Sequence, residues 1–256
     1  MRRMLKIGVF FLVLGFMICP LWAAEFSGED IITRVNDLLN QDSAFSKTRM
    51  TIQTSSGQDR TFEFLTWAGD KGEKNLIRYT EPSRARDQAI LMLNNADDIW
   101  MYFPRTRRVR KLATHAKKQK MQGSDYSYED MGSGDAFITD FQAERLEDED
   151  VNGQPCFKVL LERKEGSDSS YVKVTMLVRK DDFFPVRIDY YDEEYPDTLS
   201  KTLLLEDVRV IQGVPTAMRM VMKNRLDFTE TRMELLEVDY EVNIPETKFT
   251  ERALRE

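Results

Sequence analysis

Imidazole and thiol are nearly missing from this 256-residue chain, which has one histidine, His115, and two cysteines, Cys19 and Cys156. Serine and cysteine nucleophiles need an imidazole base beside them. His115 sits in a basic stretch, and no G-x-S-x-G elbow surrounds any serine. A Cys/His zinc site or a framework of paired cysteines cannot be assembled from so few ligands. Glycine-rich phosphate loops are missing as well. Carboxylates are plentiful, so no single pair stands out as acid and base, and the acidic run 144–150 reads as a solvated strand face. We therefore expect no catalytic residues, no cofactor and no metal. A secreted enzyme acting on an amphiphile would need a reactive serine or carboxylate pair that the sequence does not mark.

Long hydrophobic runs are scarce too. The longest, residues 7–18, is shorter than the roughly 20 residues that span a bilayer. It follows Arg2, Arg3 and Lys6, is broken by Pro20 and ends at the small residues Ala23 and Ala24. This is the pattern of a secretory signal, with a cut after Ala23 or Ala24. The expected organisation is a signal peptide at 1–23 and one domain at 24–256, exported to the periplasm, with no transmembrane helix in the mature chain. Phe16, Met17 and Ile18 are too bulky for a lipoprotein signal at Cys19. Cys156 is then alone and is expected to be buried and inert. Removing the three leader cations leaves 34 basic against 44 acidic side chains, a net charge of −10. So acidic a chain is a poor nucleic-acid binder. A monomer is expected.

With 41% apolar, 32% charged and 11% aromatic residues, the chain is too polar for a membrane bundle and too aromatic for disorder. Residues 27–40 read as a helix, with Ser27 and Asp30 as a capping box and Ile31, Ile32, Val35, Leu38 and Leu39 on one face. Thereafter the period is two. About eleven strands follow, joined mostly by short turns, of which Asn152-Gly153 is the strongest hairpin signal. An open sheet of that many strands must curl. The fold class expected is mainly β, a single curved antiparallel sheet forming an incomplete barrel, with helices on its concave side. Alternation is loose where Ile99, Trp100, Met101, Tyr102 and Phe103 run together. Such a sheet has both faces covered, or one face lining a cavity. Residues 113–137 have no clean period, and long irregular stretches of this kind often serve as lids. Residues 245–256 form a short amphipathic tail.

Two compositional features point toward binding. Met218, Met220 and Met222 alternate along one strand and are expected to share a face, with Met92, Met101 and Met176 on other strands. Methionine is flexible and polarizable, so such a face is either core filler or a wall accepting acyl chains. The candidate wall is Met92, Trp100, Tyr102, Met176, Met218, Met220 and Met222. The second feature is basic: residues 105–120 hold eight Lys or Arg in sixteen positions. Arg105, Arg107, Arg108, Arg110 and Lys111 are either a docking surface for something negative or a solvated edge strand whose charges discourage aggregation.

Gly123, Ser124, Asp125, Tyr126, Ser127, Tyr128, Glu129 and Asp130 spell a segment that resembles the "GS-D-aromatic-S-Y-E-D" signature of the outer-membrane lipoprotein-sorting, LolA-like family. Trp100 to Pro104 followed by Arg107, Arg108, Val109 and Arg110 is similar to that family's "W-x-Y-x-P…R-R-V-R-R" block. Phe183 to Arg187 is similar to its "P-x-R" strand turn. The order and spacing agree across residues 27–242. The resemblance implies an incomplete antiparallel barrel plugged by helices, a cavity for lipid acyl chains, and escort of lipoproteins or lipids across the periplasm. It also implies that some relatives serve RND-type transporters. The signature lies in the irregular segment, making that segment a candidate lid or gate. There Gly123 would supply a positive φ, Ser124 and Asp125 would bond backbone, and the tyrosines would cover apolar surface with exposed hydroxyls. The signature is structural or cargo-binding.

Overall fold

Ser27 starts the fold. Its hydroxyl accepts from the Asp30 N–H at 3.1 Å, and the Asp30 carboxylate accepts from the Ser27 N–H at 3.0 Å. This capping box satisfies two of the donors that a helix start leaves free and launches α1 (Gly28–Leu39), which Asn40 caps at its end. A twelve-residue helix is marginal in water alone. Packing holds it: Ile31, Ile32 and Val35 are buried, contributing about 1.5–3 kcal/mol each. The computed structural model describes residues 26–132 and 134–256. The expected signal peptide lies outside the described residues.

The period-two segments form β1 (Ser43–Gln53), β2 (Asp59–Gly69), β3 (Lys74–Glu81), β4 (Ala89–Leu93), β5 (Asp98–Phe103) and β6 (Arg108–Lys111). After an irregular stretch come β7 (Phe141–Arg145), β8 (Glu149–Val151), β9 (Gln154–Arg163), β10 (Tyr171–Arg179) and β11 (Pro185–Asp192). The series ends with β12 (Lys201–Ile211), β13 (Val214–Asn224) and β14 (Thr229–Asp239). Among the described residues the strands number fourteen, not the roughly eleven expected. One cause is local: the stretch 142–150 divides where Arg145 turns back onto Asp148 at 2.9 Å and the Leu146 N–H reaches the Lys158 carbonyl at 2.8 Å.

All strands belong to one antiparallel sheet in the order β6-β5-β4-β3-β2-β1-β14-β13-β12-β11-β10-β9-β7, with β8 beside β9. The first and last strands pair in its middle, where Met50 faces Met233. That pairing dictates the rest. The sheet's two edges become β6 and β7, which are consecutive in the chain and do not pair, so the sheet is not closed into a barrel. Residues 112–140, which join them, therefore run from one edge to the other across a face of the sheet.

Two cores result. On the inner face, Met50, Phe64, Ile77 and Met92 from one half meet Val159, Val174, Met176 and Met222 from the other, beneath α1 and the crossing segment. On the outer face, Leu76, Ala89 and Leu91 join Trp67, Trp100 and Tyr102 under Phe249 and Leu254 of the C-terminal tail. Polar contacts fasten the tail: Arg78 donates to the Ala253 carbonyl at 2.8 Å, and Lys248 lies 4.0 Å from the Trp67 ring centroid. The loose alternation of β5 is thus a strand covered on both faces. Ile99 and Met101 point to the inner core, Trp100 and Tyr102 to the outer cluster. The latter two are not part of a concave wall, because alternate side chains of a strand take opposite faces.

Candidate functional site

Methionine concentrates on the inner face. Met50, Met92, Met121, Met176, Met222 and Met233 are buried there, and Met101, Met131 and Met220 pack against them. These are nine of the ten methionines among the described residues. The exception is Met218, which lines a surface groove with Arg49, Asp207, Arg209 and Arg219. Asp207 lies across from Met218 in the ladder, between the pairs Glu206–Arg219 and Val208–Ala217. Its left-handed backbone, φ 51°, interrupts the alternation. The expected three-methionine face therefore contains two.

The crossing segment fills the concavity as a plug. It contains single 3-10 turns at Thr114–Lys118 and Met121–Gly123, then α2 (Tyr128–Gly132) and α3 (Ala136–Thr139). Met121, Tyr126 and Tyr128 enter the inner core. Gly132 allows a close approach: a Cβ there would lie 2.8 Å from the Ala96 Cβ and 3.2 Å from the Met92 sulfur. Gly123 has φ 70°, as the signature suggested.

The signature forms the polar underside of this plug, and its three carboxylates are latches. Asp125 is buried and accepts from Thr229 Oγ1 at 2.5 Å and Thr231 Oγ1 at 2.7 Å on β14, while its N–H donates to Thr231 Oγ1 at 2.9 Å. Glu129 accepts from Ser169 Oγ at 2.5 Å, from the Ser170 N–H at 3.1 Å and from the Ser170 hydroxyl. Asp130 accepts from the Tyr171 hydroxyl at 2.6 Å and from Lys201 Nζ at 3.0 Å. Asp130 also closes a second capping box, accepting from the Ser127 N–H at 2.6 Å while Ser127 Oγ accepts from the Asp130 N–H at 3.0 Å. The S-x-E-D spelling at Ser127 repeats the one at Ser27, a local signal for α2 that went unread. The receiving groups Thr229, Thr231, Ser169, Ser170, Tyr171 and Lys201 carry no such sign, since common strand and loop residues acquire the role only through the fold. Ser124 Oγ donates to the Tyr126 carbonyl at 3.1 Å. The tyrosines depart from expectation. Both are buried: the Tyr128 hydroxyl donates to the Met101 sulfur at 3.5 Å, and the Tyr126 hydroxyl is enclosed.

Burial is the largest influence on Glu129 and raises its carboxyl above the ordinary 4.5, against the opposing bonds from Ser169 and Ser170. A raised folded value means that, between 4.5 and that value, the native state holds the proton more often than the unfolded chain. Stability from this group is then lost as pH rises through the folded value. Glu129→Gln removes the dependence. Its melting temperature relative to wild type is expected to climb between about pH 4 and about pH 8; a flat difference across scanning-calorimetry runs would refute the assignment.

Two clefts border the plug. One, of about 410 Å³, lies among Lys118, Ser127, Tyr171, Glu193 and Lys201. The other, of about 210 Å³, opens between Leu39, Ala44, Ala68, Met131 and Tyr240, where the end of α1 meets the sheet. Within the basic stretch, Arg105, Arg107, Arg108, Arg110 and Lys111 are exposed on the β5–β6 hairpin. Lys117 is instead buried, bonded to Asp97 at 2.9 Å and Asp168 at 2.5 Å. His115 is exposed, and Cys156 is buried and unpaired. Among the described residues, no helix is long and apolar enough to cross a membrane.

A family model described only as that of an uncharacterized protein matches residues 71–256. No curated protein matches the sequence. A DUF1329 family protein from Desulfovibrio piger is 26% identical, with 89% of this chain and 97% of that one covered and a TM-score of 0.80. A putative outer membrane lipoprotein-sorting protein domain from Vibrio parahaemolyticus is 21% identical, over 90% and 98%, with a TM-score of 0.81. A LolA superfamily protein from Nitrosomonas europaea is 20% identical, over 90% and 100%, with a TM-score of 0.76. The fold is thus LolA-like.

Proposed function

The chain belongs to the DUF1329-like family of uncharacterized proteins; we propose that it is a periplasmic carrier, which shields acyl chains of a lipoprotein or lipid and delivers them toward the outer membrane. One observation carries this reading: a methionine-rich inner face on an open sheet, closed by a separate plug that polar latches hold. Opening the plug costs about 1.5–3 kcal/mol for each latch hydrogen bond broken and a similar amount for each of Met121 and Tyr128 moved off the core. An acyl chain of about 16 carbons gains roughly 12 kcal/mol on leaving water. Two chains are therefore of the size needed to offset the plug. Methionines suit the exchange because they repack around either occupant.

Binding alone gives no direction, so release is coupled to a membrane or receptor that prefers the empty state. The exposed Arg105, Arg107, Arg108, Arg110 and Lys111 support docking on an anionic partner. They also favour a second reading, in which the same fold serves as an accessory or sensor protein of an RND-type exporter or envelope signalling system. The leader-like start supports the periplasmic setting.

The test is native mass spectrometry of mature protein purified from a Gram-negative periplasm, followed by extraction. A stoichiometric adduct that extracts as phospholipid or acylated peptide is expected. Replacing Arg105, Arg107, Arg108 and Arg110 with Ser should leave that adduct in place and slow its transfer to anionic vesicles. A bare mass, with no uptake of a fluorescent phospholipid, would refute the carrier.

A further inference from the structure

The Tyr126 hydroxyl is buried and has no hydrogen-bond partner among the described residues. The residue as a whole is 4% exposed and belongs to the inner core. A hydroxyl in that position destabilises the fold, because it has left water without gaining an acceptor. Phenylalanine would fill the same space without that cost. The neighbouring carboxylates do not serve it: Asp125 is committed to Thr229 and Thr231, and Asp130 to Tyr171 and Lys201. Burial, with Asp130 and Asp125 nearby, pushes the phenol up, so it stays neutral and remains a donor.

The ligand chemistry that completes this site is narrow. It must be apolar, to lie against the methionines, and must bring one acceptor. A free fatty-acid carboxylate would bring a charge into an apolar interior and face the fields of Asp125 and Asp130. A neutral ester carbonyl brings neither penalty. We propose that Tyr126 is a cargo-binding residue whose hydroxyl donates to an acyl ester carbonyl, so that the interior selects ester-linked acyl lipids over ether-linked and free-acid ones. This rests on the carrier reading above and names its substrate class.

The experiment uses the mature chain and two fluorescent phosphatidylglycerols of equal chain length, one with ester-linked and one with ether-linked chains. Wild type is expected to bind the ester lipid about 10-fold more tightly, the factor that one buried hydrogen bond supplies. Tyr126→Phe should lose that preference, keep the ether lipid's affinity and melt at a higher temperature than wild type. Tyr128→Phe, whose hydroxyl already has Met101 as partner, should keep the preference. Equal affinity of wild type for the two lipids, or a preference retained in Tyr126→Phe, overturns the inference and leaves the carrier intact. Failure of wild type to bind either lipid overturns both.

Discussion

Asp125→Ala is expected to speed hydrogen exchange in residues 121–131 by about 100-fold while the central sheet strands stay protected. The carboxylate accepts two buried threonine hydroxyls on β14, and bonds to a charged acceptor contribute about 1.5–3 kcal/mol each. Losing two shifts the opening of the plug by roughly 3 kcal/mol, or about two factors of ten. Thr231, fully buried, would be left with only the Asp125 N–H. Lipid exchange should accelerate in parallel, because the plug must open for chains to enter. Asp125→Asn keeps one acceptor and should fall between. The observation that sinks this is uniform acceleration over plug and sheet, which would make Asp125 a support of the whole fold and the plug no separate opening unit.

Leu254→Ala is expected to cost about 3 kcal/mol, the usual range for emptying a fully buried leucine site. For a chain of this size that is a fall of roughly 6–12 °C in melting temperature. Leu254 is fully buried in the outer cluster with Leu76, Leu91 and Phe249. It touches the face opposite to the methionines, so lipid content per folded molecule should not change. Thermal melting and native mass spectrometry on one preparation separate the two effects. Loss of lipid at an unchanged melting temperature would mean that the tail governs the inner face, contrary to the two-core arrangement.

Local patterns were legible where local physics decides them. Ser27 and Asp30 foretold α1, because a capping box needs only four residues to satisfy its donors. Asn152 and Gly153 foretold a hairpin, and both have positive φ, 54° and 85°, as a two-residue turn between strands requires. Cys156 is buried, as a lone thiol in an apolar strand should be. Errors arose where a residue's role depends on distant partners. Trp100 and Tyr102 were expected on the concave wall, yet they lie beneath a tail more than 140 residues further along the chain. Tyr126 and Tyr128 were expected to cover apolar surface with their hydroxyls exposed, because a polar, aperiodic segment reads as a loop until something is found for it to cross.

By itself, then, the sequence determined the class of the fold, the helix that opens it, the turns, and the signature that marks the plug. Those depend on interactions within a few residues. The tertiary structure decided what the signature is for. Once β1 and β14 pair, β6 and β7 are left as edges, and the segment between them has to span the inner face. Its polar residues then meet Thr229, Thr231, Ser169, Ser170, Tyr171 and Lys201, 40 to more than 100 residues away. A carboxylate buried among hydroxyls is a latch, and the same carboxylate in water is a solvated charge. Only the closure of the chain distinguishes the two.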